Sequence, residues 1–82
     1  MEKILIIDDD VQLSKLIEEF LQTFNYEITI MHEPKPALEF LQKNTMDLVI
    51  LDIMLPGIDG FQALRKIRED SQIPVIMLTA RG

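Results

Sequence analysis

Four polar residues fall directly after short apolar runs. Asp8 and Asp9 follow Ile4-Leu5-Ile6-Ile7, Asp52 follows Leu48-Val49-Ile50-Leu51, and the hydroxyl of Thr79 follows Val75-Ile76-Met77-Leu78. If these runs are neighbouring parallel strands, their polar tips emerge together, because parallel strands share their carboxyl ends. Three acids and a hydroxyl would then line one pocket. Unit charges about 4 Å apart repel by about 1 kcal/mol in water and by about 4 kcal/mol at an effective dielectric of about 20. Such a cluster calls for a cation or a bound proton. A few oxygen ligands with room for water suit Mg²⁺, which keeps much of its hydration shell and often bridges to phosphate.

The elements that must hold these residues alternate in type. Lys3–Ile7 is a continuous, β-branched run, as expected of a strand buried on both faces. From Val11 to Phe24 the residues Val11, Leu13, Leu16, Ile17, Phe20, Leu21 and Phe24 recur at threes and fours, which predicts an amphipathic helix capped by Asp9 or Asp10. Asn25 tolerates the left-handed conformation that ends it. Residues 26–31 predict a second strand, polar at Glu27 and Thr29 and so placed at an edge. Pro34 and Pro36 suit the first turn of a second helix, with Ala37, Leu38, Phe40 and Leu41 as its apolar stripe. Residues 47–52 predict the third strand, Phe61, Leu64 and Ile67 mark a third helix, and residues 75–78 a fourth strand. A β-α-β-α-β-α-β order predicts a parallel sheet with right-handed crossovers and helices on both faces.

Composition narrows the function. The 82 residues suffice for one domain at most, near the size where a single core becomes marginal. At 48% hydrophobic and 27% charged, the chain fits a globular fold and not a disordered one. A formal charge of −6 disfavours nucleic acid or an anionic membrane as partner of this segment. Cysteine is absent, which excludes disulfides and thiolate chemistry and agrees with a reducing compartment. The amino-terminal residues do not read as a signal peptide, and no apolar run has the length of a membrane span.

Three ordered motifs together resemble the receiver domain of two-component response regulators: Asp8-Asp9, Leu51-Asp52-Ile53-Met54-Leu55-Pro56-Gly57-Ile58-Asp59-Gly60, and Met77-Leu78-Thr79-Ala80. The Leu-Pro-Gly-x-Asp-Gly stretch and the run Ile76 to Gly82 look most like the branch with a winged-helix DNA-binding output domain. The resemblance implies the α/β, flavodoxin-like fold, with the sheet order 2-1-3-4 for the strands present here. It implies that Asp52 accepts a phosphoryl group from the phosphohistidine of a sensor histidine kinase, or from a small phosphodonor. Mg²⁺ would be held by Asp9 directly, by Asp8 through water, by Asp52 and by the Met54 carbonyl. Thr79 and the backbone N–H groups of Ala80 and Ile53 would meet the phosphoryl oxygens, and movement of Thr79 toward them would be the switch. A cytoplasmic location follows from the same resemblance, and turnover catalysis does not.

The family pattern continues beyond Gly82 with a helix, a fifth strand bearing a phosphate-binding lysine and a switch aromatic, and a last helix. Residues 1–82 therefore read as the amino-terminal part of one receiver domain. None of Lys3, Lys15, Lys35, Lys43 and Lys66 is placed to replace that lysine, so slow or absent labelling of Asp52 is expected. Self-association is expected too, through an uncovered fourth-strand edge. Asp10 reads as a helix cap, Asp59-Gly60 as a turn and helix start, and His32 as a solvated side chain away from the pocket. Two other functions compete. Asp8-x-Asp10 also resembles the nucleophile and acid of haloacid-dehalogenase-like phosphatases, although Gln12 stands where that family usually has Thr. A pseudo-receiver that keeps the carboxylates and only mediates protein contacts is the other.

Overall fold

The computed structural model describes residues 1–55 and 57–78. Seven elements follow in order: β1 (Lys3–Ile7), α1 (Val11–Gln22), β2 (Glu27–Met31), α2 (Pro34–Lys43), β3 (Leu48–Asp52), α3 (Gly60–Asp70) and β4 (Val75–Leu78). The strands form one parallel sheet in the order β2-β1-β3-β4. This is the flavodoxin-like arrangement that the alternating pattern predicts, with the polar strand β2 at an edge.

Alternation along the two inner strands divides the core in two. Ile4, Ile6 and Ile50 face α1, where Ile17 and Leu21 pack on them. Leu5, Ile7, Val49 and Leu51 face the other way, under Ala37 of α2 and Ala63 and Ile67 of α3. Each inner strand is thus covered on both faces, which is why its sequence is apolar without a polar alternation. The chain between strands is also pinned at the start of the sheet. Asp47 lies just before β3 instead of inside it, where its N–H donates to the Lys3 carbonyl at 2.8 Å and its carboxylate accepts from the Lys3 N–H at 2.7 Å.

Helix ends follow local chemistry. Asp10 caps α1 by accepting from the Leu13 N–H at 3.0 Å. The helix stops at Gln22, short of Phe24, because Thr23, Phe24 and Asn25 each bond three residues back in a tighter turn, closed by Asn25 at φ 67°. Pro34 opens α2 as its first helical residue. Asp59 and Gln62 form a reciprocal capping box at the start of α3.

The apolar stripe expected on α1 is divided in the structure. Ser14, Ile17 and Leu21 turn to the sheet, while Leu16 and Phe20 are each 63% exposed and Phe24 is 59% exposed. A helix has one face for the sheet, and seven apolar residues span more than that face. The ring of Phe20 instead meets the edge of Phe24 at 5.3 Å. On α3 the covering residues are Gly60, Ala63, Leu64 and Ile67, with Phe61 exposed.

Candidate metal centre

Register brings the acids together. Ile4 lies beside Leu48 and Ile7 beside Leu51, so one further step along both strands sets Asp8 beside Asp52. Both side chains share the parity of Ile4, Ile6 and Ile50 and emerge on the α1 side of the sheet edge. Asp8 is 1% exposed and Asp52 7% exposed, whereas Asp9 is open to solvent. One carboxylate oxygen from each of Asp8, Asp9 and Asp52 lies within 4.8 Å of the others.

The hydrogen bonds of these side chains are incomplete in an informative way. Asp8 Oδ1 accepts from the Asp10 N–H at 2.9 Å, and Asp52 Oδ1 accepts from the Met54 N–H at 3.1 Å. Asp8 Oδ2 is buried and has no hydrogen-bond partner among the described residues. A buried lone pair of this kind is costly unless something bonds to it. Burial pushes the Asp8 carboxyl above the usual aspartate range; the Asp10 N–H opposes this, and the neighbouring Asp52 and Asp9 add to it. An acid-only donor set with an orphaned oxygen fits a hard divalent cation such as Mg²⁺.

A loop and a glycine hold the strand end that carries Asp52 in place. The Gly60 N–H donates to the Ile53 carbonyl at 2.6 Å, closing the loop between β3 and α3. A Cβ on Gly60 would lie 2.5 Å from the Asp52 carbonyl oxygen and 2.6 Å from Ile53 Cα, so only glycine permits this approach. Gly57 answers a different need, a left-handed backbone at φ 80° in open space.

Several sequence expectations meet the structure here. Asp8, Asp9 and Asp52 come together, and Asp10 stands apart from them as the cap of α1. The Ile53 N–H, expected to face a phosphoryl group, donates to the Leu78 carbonyl at 2.9 Å and extends the β3–β4 ladder. Thr79 and Ala80 lie outside the described residues. His32 differs from expectation: its side chain is not simply solvated, since Nδ1 lies 2.8 Å from the Asp8 carbonyl oxygen. The reason is register, because Ile7 pairs with Met31 and the residues that follow each strand end become neighbours.

Comparison with known proteins settles the family. The family model described as the response regulator receiver domain matches residues 4–82. This chain belongs to the response regulator receiver family. Over 82 residues it is 43% identical to the response regulator ArlR of Staphylococcus saprophyticus, covering all of this chain and 37% of ArlR. It is 42% identical to the transcriptional regulatory protein CpxR of Escherichia coli, again over the whole chain and 35% of CpxR. The chain therefore spans about a third of the length of these curated relatives. Among solved structures, it superposes with a TM-score of 0.94 on the response regulator TrrA of Thermotoga maritima in complex with Mg²⁺ and BeF, at 37% identity, covering 100% of this chain and 72% of TrrA. TrrA has also been solved in complex with the histidine kinase ThkA. Among the described residues no helix is long and apolar enough to cross a membrane.

Proposed function

We propose that Asp52 is the phosphoacceptor of a Mg²⁺-dependent receiver whose donor is a sensor histidine kinase. The observation that carries this reading is the unpartnered, buried Asp8 Oδ2 beside the carboxylates of Asp9 and Asp52. The holding ligands would be Asp8, Asp9, Asp52 and the Met54 carbonyl. Bound there, Mg²⁺ would supply positive charge to the phosphoryl oxygens. What is left to the protein is mainly placement, since phosphoryl transfer asks chiefly for positioning and charge stabilisation.

In the transfer, a carboxylate oxygen of Asp52 forms the new O–P bond as the N–P bond of the phosphohistidine breaks, and the imidazole leaves. Met54 donates its N–H to Asp52 Oδ1, which leaves the second oxygen without that bond and orients the group. Burial of Asp52 at the end of a fully packed strand limits its motion and the access of water. Thr79 and the Ala80 N–H are assigned to the phosphoryl oxygens on the family resemblance, with Thr79 as the switch. Donation by the Ile53 N–H would mean leaving or sharing the Leu78 carbonyl.

The wider reading follows from the same family. Residues 1–82 form the amino-terminal part of a single receiver domain, acting in the cytoplasm and controlling a winged-helix output that contacts DNA. The relatives named as regulators of transcription support that reading. For the 82-residue chain itself, β4 is an edge strand with Ile76 51% exposed, which favours self-association through that edge. Concentration-dependent mass in sedimentation, reduced by Ile76→Lys, is expected; a monomer at high concentration would remove this part.

The test of the function is intact-mass analysis after incubation with acetyl phosphate and Mg²⁺. A single phosphoryl adduct should accumulate slowly, require Mg²⁺ and disappear in Asp52→Asn. An adduct that persists in Asp52→Asn would place the nucleophile elsewhere, and Mg²⁺ binding with no adduct at any time would favour the pseudo-receiver.

A further inference from the structure

The acidic loop after β1 is gripped from the side by the end of β2. The Asp8 N–H donates to the Met31 carbonyl at 3.1 Å, and the Asp8 carbonyl lies 2.8 Å from His32 Nδ1. Both backbone polar groups of Asp8 are thus tied to consecutive residues of a neighbouring strand end. Its Oδ1 is held by the Asp10 N–H, so among the described residues Oδ2 is the polar atom of Asp8 left without a partner.

A second candidate donor to the Asp8 carbonyl is the Ser14 hydroxyl, and distance decides between them. Ser14 Oγ is 2.8 Å from the Asp10 carbonyl but 3.5 Å from that of Asp8. A hydroxyl has one proton, and at these distances it goes to Asp10. His32 is therefore the effective side-chain donor to Asp8. A carbonyl oxygen only accepts, so Nδ1 must carry a proton. In a neutral ring this leaves Nε2 bare, the reverse of the form that an imidazole free in water favours.

We propose that His32 is a positioning residue for the metal centre: its Nδ1–H fixes the Asp8 carbonyl and, through it, the directions of the Asp8 and Asp9 carboxylates. The inference rests on the reading of Asp8, Asp9 and Asp52 as a Mg²⁺ site. It assigns His32 no contact with the ion or the phosphoryl group. Groups that orient a metal ligand from outside typically change affinity by about 10–100-fold when removed. His32 is exposed and acts through the backbone, so the lower end of that range is expected.

The test uses the single histidine of the chain, whose ring signals need no residue-specific assignment. In a long-range proton–nitrogen spectrum of the wild-type protein at about pH 8.5, where an ordinary imidazole is neutral, Nδ1 should be the protonated nitrogen. A ring protonated mainly on Nε2 would overturn the proposal without any variant. In Mg²⁺ titrations, His32→Ala and His32→Gln should each weaken binding about tenfold. His32→Asn, whose amide N–H can take the place of Nδ1–H, should return affinity to near the wild-type value. The metal-free melting temperature should be the same in all four proteins, which separates positioning from a general loss of structure. Equal affinity in wild type and His32→Ala, or no recovery in His32→Asn, would overturn the role of His32 while leaving the metal site standing. Absence of Mg²⁺ binding in the wild type would overturn the site and this role together.

Discussion

The inner and outer strands of this sheet are made of similar residues and live in different surroundings. On β1, Leu5, Ile6 and Ile7 are 0% exposed, and on β3 so are Val49 and Leu51; on β4, Ile76 is 51% exposed. The two acids that need fixed positions, Asp8 and Asp52, extend the covered pair. Precision in the site is thus inherited from the best-packed strands, where a shifted backbone would open a void on either face. The edge strand can move at less cost, and the residue expected to switch follows it in the chain.

Substitutions can break that contrast. Leu51→Ala should cost about 2–5 kcal/mol, since it removes a fully buried side chain between two packed faces. For so short a chain that is a large share of total stability. Ile76→Ala should cost less than about 1 kcal/mol, because half of that side chain already meets water. Denaturant midpoints at constant slope would measure both. Equal costs would mean that β4 is covered in solution.

Gly60→Ala should cost about 1–3 kcal/mol, because its new methyl group meets backbone on Asp52 and Ile53 that cannot rotate away. The displacement falls on the strand end that carries Asp52, so Mg²⁺ affinity should fall with stability. Gly57→Ala meets no atoms and should cost only the left-handed conformation, about 1 kcal/mol, with little change in Mg²⁺ binding. A titration of each variant, followed by thermal melts, separates the two glycines.

Caps give a smaller contrast. Asp10→Ala should lose about 1 kcal/mol with the Leu13 bond. Glu33 makes no side-chain bond at the start of α2, so Glu33→Ala should be close to neutral.

The least change concerns protons. The folded, metal-free protein raises the Asp8 carboxyl above its unfolded value, so between about pH 4 and that raised value the native state holds more protons than the unfolded one. Stability of the metal-free protein should therefore fall as pH rises through this window. Asp8→Asn should flatten the slope and be the more stable protein above it. A wild-type slope of the opposite sign in chelator would contradict the burial argument.

Much of this was legible in the sequence because single-residue rules act locally. Apolar runs located three of the strands, the polar-apolar alternation of residues 26–31 located the edge strand β2, and the acids that end the first and third strands located the cluster. His32 was not legible, since it lies 24 positions from Asp8 and only the Ile7–Met31 register makes them neighbours. Nor was the facing of α1, where adjacent apolar stripes compete and the sheet takes the one with Ser14, Ile17 and Leu21. Asp59-Gly60 read as a turn and helix start, as α3 shows, but the packing need at Gly60 was not legible, because it is set by Asp52 and Ile53 across the loop.

The central claim is that Asp8, Asp9 and Asp52 form one Mg²⁺ site, and thermal unfolding across a Mg²⁺ titration tests it most directly. A ligand that binds only the folded state adds about 1.4 kcal/mol at ten times its Kd. In a domain of this size that raises the melting temperature by roughly 5–10 °C. The wild type should show this rise at millimolar Mg²⁺, and Asp9→Asn and Asp52→Asn should show much less. A melting temperature of folded wild-type protein that Mg²⁺ leaves unmoved would contradict the account, as would an undiminished rise in both variants.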